Sequence, residues 1–452
     1  MKRVKPMKQF QVAYVPIGVP TFHLESAQIQ FEKSIEAIRS VTEDCVFPEE
    51  MLLSIDKLDA FLDTVEPDLV ILQNITFANA AYASDVARRI SCPVLLWTLR
   101  EPVIDGGRLR LNSLTGAYSA ANAFMTLRDG QFEYLFGAPD EARVIRKLGA
   151  TVRAAKLKHD MKDLTISQVG HTPQGFGFGR AMDAEMQKTF GATVESIEAR
   201  ELINQAKSFT DEECAQYLAD LDHATVGLDQ TPSKNKLDFA RVSKAYQDYV
   251  KEHHIGALSS RCWPDFFTDF GTPVCAVLGI LNDLGVAASC EADTYGALSM
   301  YMGMQLSGKP VFFGDPVSLD ESENTVTFWH CGTAACSLAD PKTGATIGVH
   351  PNRKIGPAMD FGCAPADHVT VFRVGRKADG TFRFFVATGS ALEKPKQFIG
   401  TSTVIQTDTN AFDLVDRSVR DCWEPHFVVV YDDVKEELET LARMLGVEVC
   451  EY

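Results

Sequence analysis

Apolar segments and helix-like segments alternate along the first third of the chain. The runs QVAYVPI, DLVILQN and CPVLLWTL are almost uninterrupted, as in strands that a parallel sheet buries on both faces. Residues 26–38 and the segment NAAYASDVARRI lie between these runs and have helical spacing or composition. This order predicts βαβ units and a parallel sheet. We therefore predict an N-terminal α/β domain over residues 1–162.

The same alternation begins again after residue 162. DLTISQVG predicts a strand that leads into a glycine-rich loop, and RAMDAEMQKTFG predicts a helix that ends at glycine. A further helix and two further strands are predicted for DFARVSKAYQDYVKEHH, IGALSSRCW and GVAASCEAD. We predict a second α/β domain over residues 163–317.

The pattern changes after about residue 318, where short alternating strands follow one another with turn signals between them. These strands are NTVTFWHCG, GATIGVH, HVTVFRVGR, TFRFFVATG and STVIQTD. Such a series predicts antiparallel β-structure, in a small barrel or sandwich. The final segment, from HFVVVY onward, follows a strand, helix, strand order. We predict a β-rich C-terminal domain over residues 318–452.

Composition and charge narrow the class of protein. The chain has 452 residues and a net charge of −17, which argues against nonspecific nucleic-acid binding. No apolar run approaches the roughly 20 residues that cross a bilayer. The start, MKRVKPMKQFQVAYVPIG, is basic but has no long apolar segment of a signal peptide, so we expect a cytoplasmic protein. Eleven cysteines without a C-x-x-C pair argue against a zinc ribbon or a thioredoxin-type site.

The segment CEADTYGALSM places two carboxylates at the end of a predicted strand. If the strand ends near residue 290, Glu291 and Asp293 point the same way, because side chains alternate with period two. Open α/β sheets bind ligands at this edge. The alternative is that Asp293 caps the helix beginning near Tyr295 while Glu291 is solvated.

Two histidines stand at the ends of apolar runs. His330 ends the strand TFWH, and His426 precedes the run FVVVY. Each could bind a ligand, or each could be a satisfied histidine of the core or rim. Two carboxylates and one imidazole form a donor set that suits Mn²⁺ or Mg²⁺ better than Zn²⁺.

Two further segments could face a substrate. The loop GHTPQGFGFGR matches neither a phosphate-binding P-loop nor G-x-G-x-x-G, so we interpret it as a mobile loop near the site and expect no dinucleotide cofactor. No G-x-S-x-G elbow occurs, which disfavours α/β-hydrolase chemistry. In SSRCWPDFF, Arg261 suits a polar or anionic substrate and Trp263 suits the face of a sugar. Packing of Trp263 and a surface ion pair of Arg261 are the alternatives.

Over most of its length the chain resembles the superfamily of L-fucose isomerase and L-arabinose isomerase. The segments that carry the resemblance are RCWPDF, CEADTYGALSMYMGMQLSGKPVFFGD, WHCGTAACSLA and EPHFVVVYDDVKEELETLARMLGVEV, with looser support from PTFHLES, LQNITFANA and GRLRLNSLTGAYSA. The resemblance implies two Rossmann-like parallel-sheet domains followed by a β-rich, barrel-like domain. It also implies a homo-oligomer, a hexamer or a related assembly, with sites completed by a neighbouring subunit.

The resemblance further implies aldose–ketose interconversion with a divalent cation, usually Mn²⁺. By position, Asp293 matches the metal-binding aspartate and His426 the metal-binding histidine. Cys275 stands at or beside the position of an upstream glutamate that serves as ligand and base, so it is a candidate catalytic residue. Glu291 could supply the missing carboxylate as metal ligand or base. His330 and Arg261, with Trp263, would contact the substrate.

Three functions remain open from the sequence. The first is a metal-dependent isomerase that interconverts an aldose and a ketose through an enediolate. The second is a lyase or aldolase-type enzyme on the same scaffold, which the replaced glutamate favours. The third is a non-catalytic sugar-binding protein, because a fold alone does not determine function. In each case the expected partner is a small carbohydrate, and neither nucleic acid nor a membrane is expected.

Overall fold

The computed structural model of the protein describes residues 8–452, so the first seven residues, MKRVKPM, of the start on which the location was predicted lie outside the described residues. The strands are β1 (Val12–Ile17), β2 (Cys45–Val46), β3 (Leu69–Asn74), β4 (Val94–Thr98), β5 (Glu133–Phe136), β6 (Thr165–Val169), β7 (Thr193–Ile197), β8 (Ala257–Ser260), β9 (Ala287–Cys290), β10 (Phe312–Asp320), β11 (Thr325–His330), β12 (Ile347–Gly348), β13 (Ala358–Met359), β14 (Ala366–Arg376), β15 (Phe382–Ala391), β16 (Thr401–Thr407), β17 (Phe427–Val430) and β18 (Glu448–Glu451). The helices are α1 (Leu24–Arg39), α2 (Ile55–Leu62), α3 (Ala80–Arg89), α4 (Ser113–Leu127), α5 (Ala142–Asp160), α6 (Asp183–Phe190), α7 (Ala199–Ser208), α8 (Asp211–Ala224), α9 (Ser233–His253), α10 (Cys275–Asp283), α11 (Thr294–Ser307), α12 (Ala411–Arg420) and α13 (Lys435–Leu445).

Among the described residues, the first compact unit comprises residues 8–160 together with 436–446, the greater part of α13. Its five strands are parallel and lie in the order β2-β1-β3-β4-β5. Successive residues of β1 belong to different cores: Val12 and Tyr14 pack on one face, and Ala13 and Val15 pack on the other. Both faces are therefore covered, as the uninterrupted apolar runs predict.

The second compact unit comprises residues 161–435 together with 447–452. It contains a four-stranded parallel sheet in the order β7-β6-β8-β9. Helix α6 ends at Gly191, whose φ of 78° is the left-handed conformation that glycine adopts readily at a helix end. Helix α11 follows β9 directly and packs against β8, β9, β14 and β17, so it joins the parallel sheet to the strands that come later.

The later strands of this unit form a barrel-like sheet in the order β14-β17-β10-β11-β16-β15-β18, and β14 also pairs with β15. Every pairing except the parallel one of β15 with β18 is antiparallel. The predicted fold class, α/β with two parallel sheets and a barrel-like β-rich part, is confirmed.

The predicted division into three domains stays a prediction, because the chain separates into two compact units. Strand β10 spans the predicted boundary at residue 317 and pairs with β11 and β17 of the barrel-like sheet. None of the helices within residues 8–452 combines the length and apolar character that a membrane span needs.

Candidate active site

Strand register in the barrel-like sheet brings together side chains that are far apart in sequence. Strand β10 pairs with β17 through Gly314 opposite Phe427, and with β11 through Asp315 opposite Trp329. His426 precedes Phe427 and His330 follows Trp329, so both imidazoles lie next to the middle of β10. The His426 and His330 ring centroids are 5.7 Å apart.

The parallel sheet supplies the carboxylates from the turn that follows β9. Glu291 and Ala292 have φ values of 59° and 53°, a left-handed turn that ends the strand and begins α11. Asp293 is the N-cap of α11, and its Oδ1 accepts a hydrogen bond of 2.9 Å from the Gly296 N–H. The capping role considered for Asp293 is therefore confirmed, and it does not exclude a place in the site.

His426 lies between these two carboxylates and is almost fully buried. Its Nδ1 is 2.8 Å from Asp293 Oδ2, and its Nε2 is 3.0 Å from Glu291 Oε2. Burial alone lowers the pKa of His426, but the hydrogen bonds with Asp293 and Glu291 raise it above its ordinary value. The imidazole is thus held at both nitrogens, with Nε2 facing the carboxylate that is more open to solvent.

Asp293 has no exposed surface, and both of its oxygens have donors. Arg373 donates to Oδ2 at 2.8 Å and to Oδ1 at 3.3 Å, and it also donates to the His426 carbonyl at 2.9 Å. Burial raises the pKa of Asp293, but Arg373 and His426 outweigh it and hold the pKa well below its usual range. These contacts favour a carboxylate that orients His426; the prediction that Asp293 is itself a metal ligand stays a prediction.

Glu291 is only partly buried, and it is held by two ring nitrogens. Trp263 Nε1 donates to its Oε1 at 3.1 Å, while Oε2 faces His426. Burial raises the pKa of Glu291, but His426 and His330 outweigh it and lower the pKa below its usual value. The alternative of a solvated Glu291 is therefore wrong, because each of its carboxylate oxygens has a side-chain partner in the cluster.

His330 completes a set of three possible ligands. One ligand atom from each of Glu291, His330 and His426 lies within 4.8 Å of the other two. His330 Nδ1 contacts Cys331 Sγ at 3.3 Å and Thr333 Oγ1 at 3.4 Å, which leaves Nε2 for another partner. Burial alone lowers the pKa of His330, but the neighbouring Cys331 outweighs it and raises the pKa to about 10.

Asp315 of β10 is a residue of this cluster that sequence reasoning missed. Its Oδ1 lies 3.5 Å from His426 Nε2, and burial raises its pKa. The segment FFGDPVSL resembles a turn, and only the pairing of β10 between β11 and β17 shows that Asp315 faces the histidines.

Aromatic rings enclose the cluster. The His426 ring centroid is 4.7 Å from that of Phe313 and 5.3 Å from that of Phe178. Phe178 belongs to the glycine-rich loop, and a Cβ atom on Gly179 would come within 2.7 Å of Asp293 Cα. The loop lies at the site as expected, and it needs glycine there because it approaches the Asp293 backbone closely.

Four of the predicted site residues lie outside the set of three possible ligands: Asp293 and Trp263 hydrogen-bond to its members, whereas Arg261 and Cys275 pair with other residues. Arg261 Nε pairs with Asp265 Oδ2 at 2.8 Å, beside an open cavity of about 420 Å³ that Glu198, Arg200 and Glu201 also line. This is the ion pair considered as the alternative for Arg261.

Cys275 is fully buried at the start of α10, and its Sγ is 3.7 Å from Cys262 Sγ. Hydrogen bonding with Cys262 raises the pKa of Cys275 well above its ordinary value, as do Cys331 and burial. A thiol in these surroundings stays protonated at neutral pH, so the structure does not favour the predicted catalytic role.

Comparisons with known proteins agree with a sugar-transforming site. A sulfoquinovose isomerase from Clostridium sp. (strain MSTE9) is 63% identical over 446 residues, which are 99% of this chain and 100% of that protein. A sulfoquinovose isomerase from Priestia aryabhattai is 38% identical over 455 residues, with 99% of this chain and 100% of that protein covered. No model of a protein family matches the chain.

Solved structures add little to this result. A solute binding protein of an ABC transporter from Agrobacterium vitis, bound with alpha-D-tagatopyranose, is 15% identical. The match covers 67% of this chain and 91% of that one, and its TM-score of 0.17 supports no inference. The full-length relatives carry the conclusion: the chain belongs to the sulfoquinovose isomerase family and is an aldose–ketose isomerase.

Proposed function

We propose that this isomerase acts on sulfoquinovose, an aldose whose sixth carbon carries a sulfonate, and converts it into the corresponding ketose with the help of a divalent cation. The observation that supports this most strongly is the convergence of Glu291, His330 and His426, whose ligand atoms lie within 4.8 Å of one another. The sulfonated substrate is inferred from the relatives that cover the whole chain.

The donor set fits a divalent cation. Glu291 Oε2, His426 Nε2 and the Nε2 of His330 would hold the ion, and Asp315 Oδ1 is a further oxygen that lies 3.5 Å from His426 Nε2. A mixed set of oxygen and imidazole donors suits Mn²⁺, with Mg²⁺ as the alternative. When bound, such an ion polarises the sugar carbonyl and stabilises negative charge on the neighbouring oxygens.

The raised pKa values of His330 and His426 support the same assignment. Both have raised pKa values, His426 through its carboxylate partners Asp293 and Glu291, and His330 chiefly through Cys331 with smaller contributions from Asp315 and Glu291. The site therefore stabilises additional positive charge, and a cation would compete with protons for these nitrogens. Asp293, on the opposite nitrogen of His426, fixes the ring so that Nε2 faces the site.

Proton transfer requires a carboxylate that is free to reach the sugar, and we assign this step to Asp315. Its side chain is 30% exposed, against 17% for Glu291, which is also held by Trp263 and His426. In the aldose-to-ketose direction, the Asp315 carboxylate takes the proton from carbon 2 and returns it to carbon 1, while the hydroxyl proton on the oxygen of carbon 2 passes to the oxygen of carbon 1. Burial raises the pKa of Asp315, which makes its ionised form a stronger base.

Membership of the wider superfamily of fucose and arabinose isomerases remains part of this proposal, supported by the quoted segments and by the fold. The homo-oligomer and the cytoplasmic location also stay predictions. A lyase would share an enediolate intermediate but would release two fragments, and the full-length relatives favour isomerisation.

The proposed function is tested by incubating the purified protein with sulfoquinovose and Mn²⁺ and analysing the products by chromatography and mass spectrometry. A ketose of the same mass as the substrate is expected, with one deuterium incorporated when the reaction runs in heavy water. Glucose, which has no sulfonate, serves as the comparison substrate. Two fragments, or a substrate left unconverted while the protein holds manganese, would refute the proposal.

A further inference from the structure

A positive charge that is not already neutralised favours the binding of a sulfonate. A sulfonate is ionised at every physiological pH, and arginine binds such oxyanions through parallel N–H donors. Arg261 was the arginine predicted to meet an anionic part of the substrate, but its Nε pairs with Asp265 at 2.8 Å. This carboxylate competes with an incoming sulfonate for the same guanidinium group.

Arg353 is a second arginine beside the site, and within residues 8–452 it has no carboxylate partner. Its guanidinium carbon lies 5.5 Å from the ring centroid of Trp263 and 5.8 Å from that of Phe267. Trp263 in turn donates its Nε1 proton to Glu291 at 3.1 Å. The Trp263 indole therefore contacts both the Arg353 guanidinium and Glu291, a member of the proposed ion-binding set.

Hydrogen bonds to His350 hold the turn that carries Arg353 in place. His350 is buried, and its Nδ1 accepts hydrogen bonds from the Asn352 and Arg353 N–H groups at 3.2 and 3.3 Å. The Lys354 N–H donates to the His350 carbonyl at 2.8 Å. The His350 ring also packs edge-on against Phe267, with centroids 5.1 Å apart. The backbone of Arg353 is therefore fixed while its side chain remains exposed to solvent.

We propose that Arg353, resting on Trp263 and Phe267, binds the sulfonate of the substrate and sets the preference for a sulfonated over an unsulfonated aldose. This inference rests on the proposed function. The reacting end of the sugar lies at Glu291 and the histidines, and the sulfonate lies at the other end of the six-carbon chain, beyond Trp263. The aromatic rings keep the guanidinium in place without neutralising its charge.

The test is steady-state kinetics of Arg353→Ala, Arg353→Lys and Arg261→Ala with sulfoquinovose and with glucose. Arg353→Ala is expected to raise KM for sulfoquinovose roughly 10- to 100-fold, the range for a lost hydrogen bond to a charged group, with kcat little changed. Arg353→Lys should recover part of the loss. Values for glucose should match those of the wild type, and added salt should raise KM for sulfoquinovose less in Arg353→Ala than in the wild type.

Arg261→Ala is the matched control, because it removes a neighbouring arginine whose charge is already paired. Unchanged bound manganese and an unchanged melting temperature in Arg353→Ala would show that the variant is folded. If the wild type converts sulfoquinovose but Arg353→Ala has an unchanged KM for it, only the assignment of Arg353 is overturned. A wild type that leaves sulfoquinovose unconverted overturns the proposed function, and this inference with it.

Discussion

The two parallel sheets are built alike, but the polar residues at their carboxyl ends are satisfied in different ways. In the first unit, Gln73 near the end of β3 accepts a hydrogen bond from Tyr14 at 2.5 Å and donates to Ser34 at 2.9 Å. These partners come from the adjacent strand and its covering helix, and all three side chains are uncharged. In the second unit, the residues after β9 are Glu291 and Asp293.

The charged residues at the carboxyl end of the second sheet indicate that the active site lies in the second unit. Uncharged buried groups are satisfied by one or two neighbours, whereas buried carboxylates need positive partners. Those partners are Arg373 of β14 and His426 before β17, both from the barrel-like sheet of the same unit. The barrel-like sheet thus supplies the positively charged partners of the two carboxylates. The carboxylates themselves follow β9, at the carboxyl end of the four-stranded sheet.

The largest effect on stability is expected from breaking the charge pairing in the second unit. Arg373→Met leaves the Asp293 carboxylate buried without its main partner, which should lower the free energy of unfolding by about 3–5 kcal/mol. Ser34→Ala in the first unit removes one uncharged hydrogen bond and should cost about 1 kcal/mol. Urea denaturation of both variants checks this, and equal losses would show that the two edges do not differ as described.

The next effect concerns the proton transfer that the charged edge makes possible. Asp315→Asn should lower kcat by about 10²- to 10⁴-fold and abolish deuterium incorporation from heavy water, while bound manganese is retained. Glu291→Gln is the matched variant, because Glu291 was predicted from the sequence as ligand or base. Deuterium exchange that persists in Asp315→Asn and disappears in a manganese-loaded Glu291→Gln would return the role of base to Glu291.

The smallest effect is expected at Cys275, which matches or adjoins the position of a catalytic glutamate in the fucose and arabinose isomerases that the chain resembles. Cys275→Ser should change kcat/KM by no more than roughly threefold, since its protonated, buried thiol contacts other thiols outside the ligand set. Cys422→Ser, at an exposed cysteine, is the control for general effects of the substitution. Loss of turnover with intact metal content in Cys275→Ser alone would restore its predicted catalytic role.

Local pattern was sufficient for much of the fold. Buried apolar runs such as residues 69–74 predict strands, and the alternation with helical segments predicts the parallel sheets. Acidic residues after an apolar run drew attention to Glu291 and Asp293, and positions at strand ends drew attention to His330 and His426.

Pairings between distant strands could not be predicted in this way. Asp315 lies in a segment that resembles a turn, and Arg373 lies in the alternating strand HVTVFRVGR, where a buried and an exposed arginine look the same. Asp315 acquires its role from the pairing of β10 with β17, and Arg373 acquires its role from Asp293, which is 80 residues away in the sequence. Short-range periodicity carries no information about that register.

Binding of one divalent ion by Glu291, His330 and His426 is tested most directly by measuring manganese per chain in the wild type, His426→Ala and Glu291→Gln. The proteins would be purified without chelator, dialysed against the same Mn²⁺ buffer and analysed by atomic emission. One ion per chain is expected in the wild type and a small fraction of one in both variants, whereas Asp293→Asn should bind manganese roughly 10- to 100-fold more weakly but still with a stoichiometry of one. Full occupancy in both His426→Ala and Glu291→Gln would contradict the assigned site.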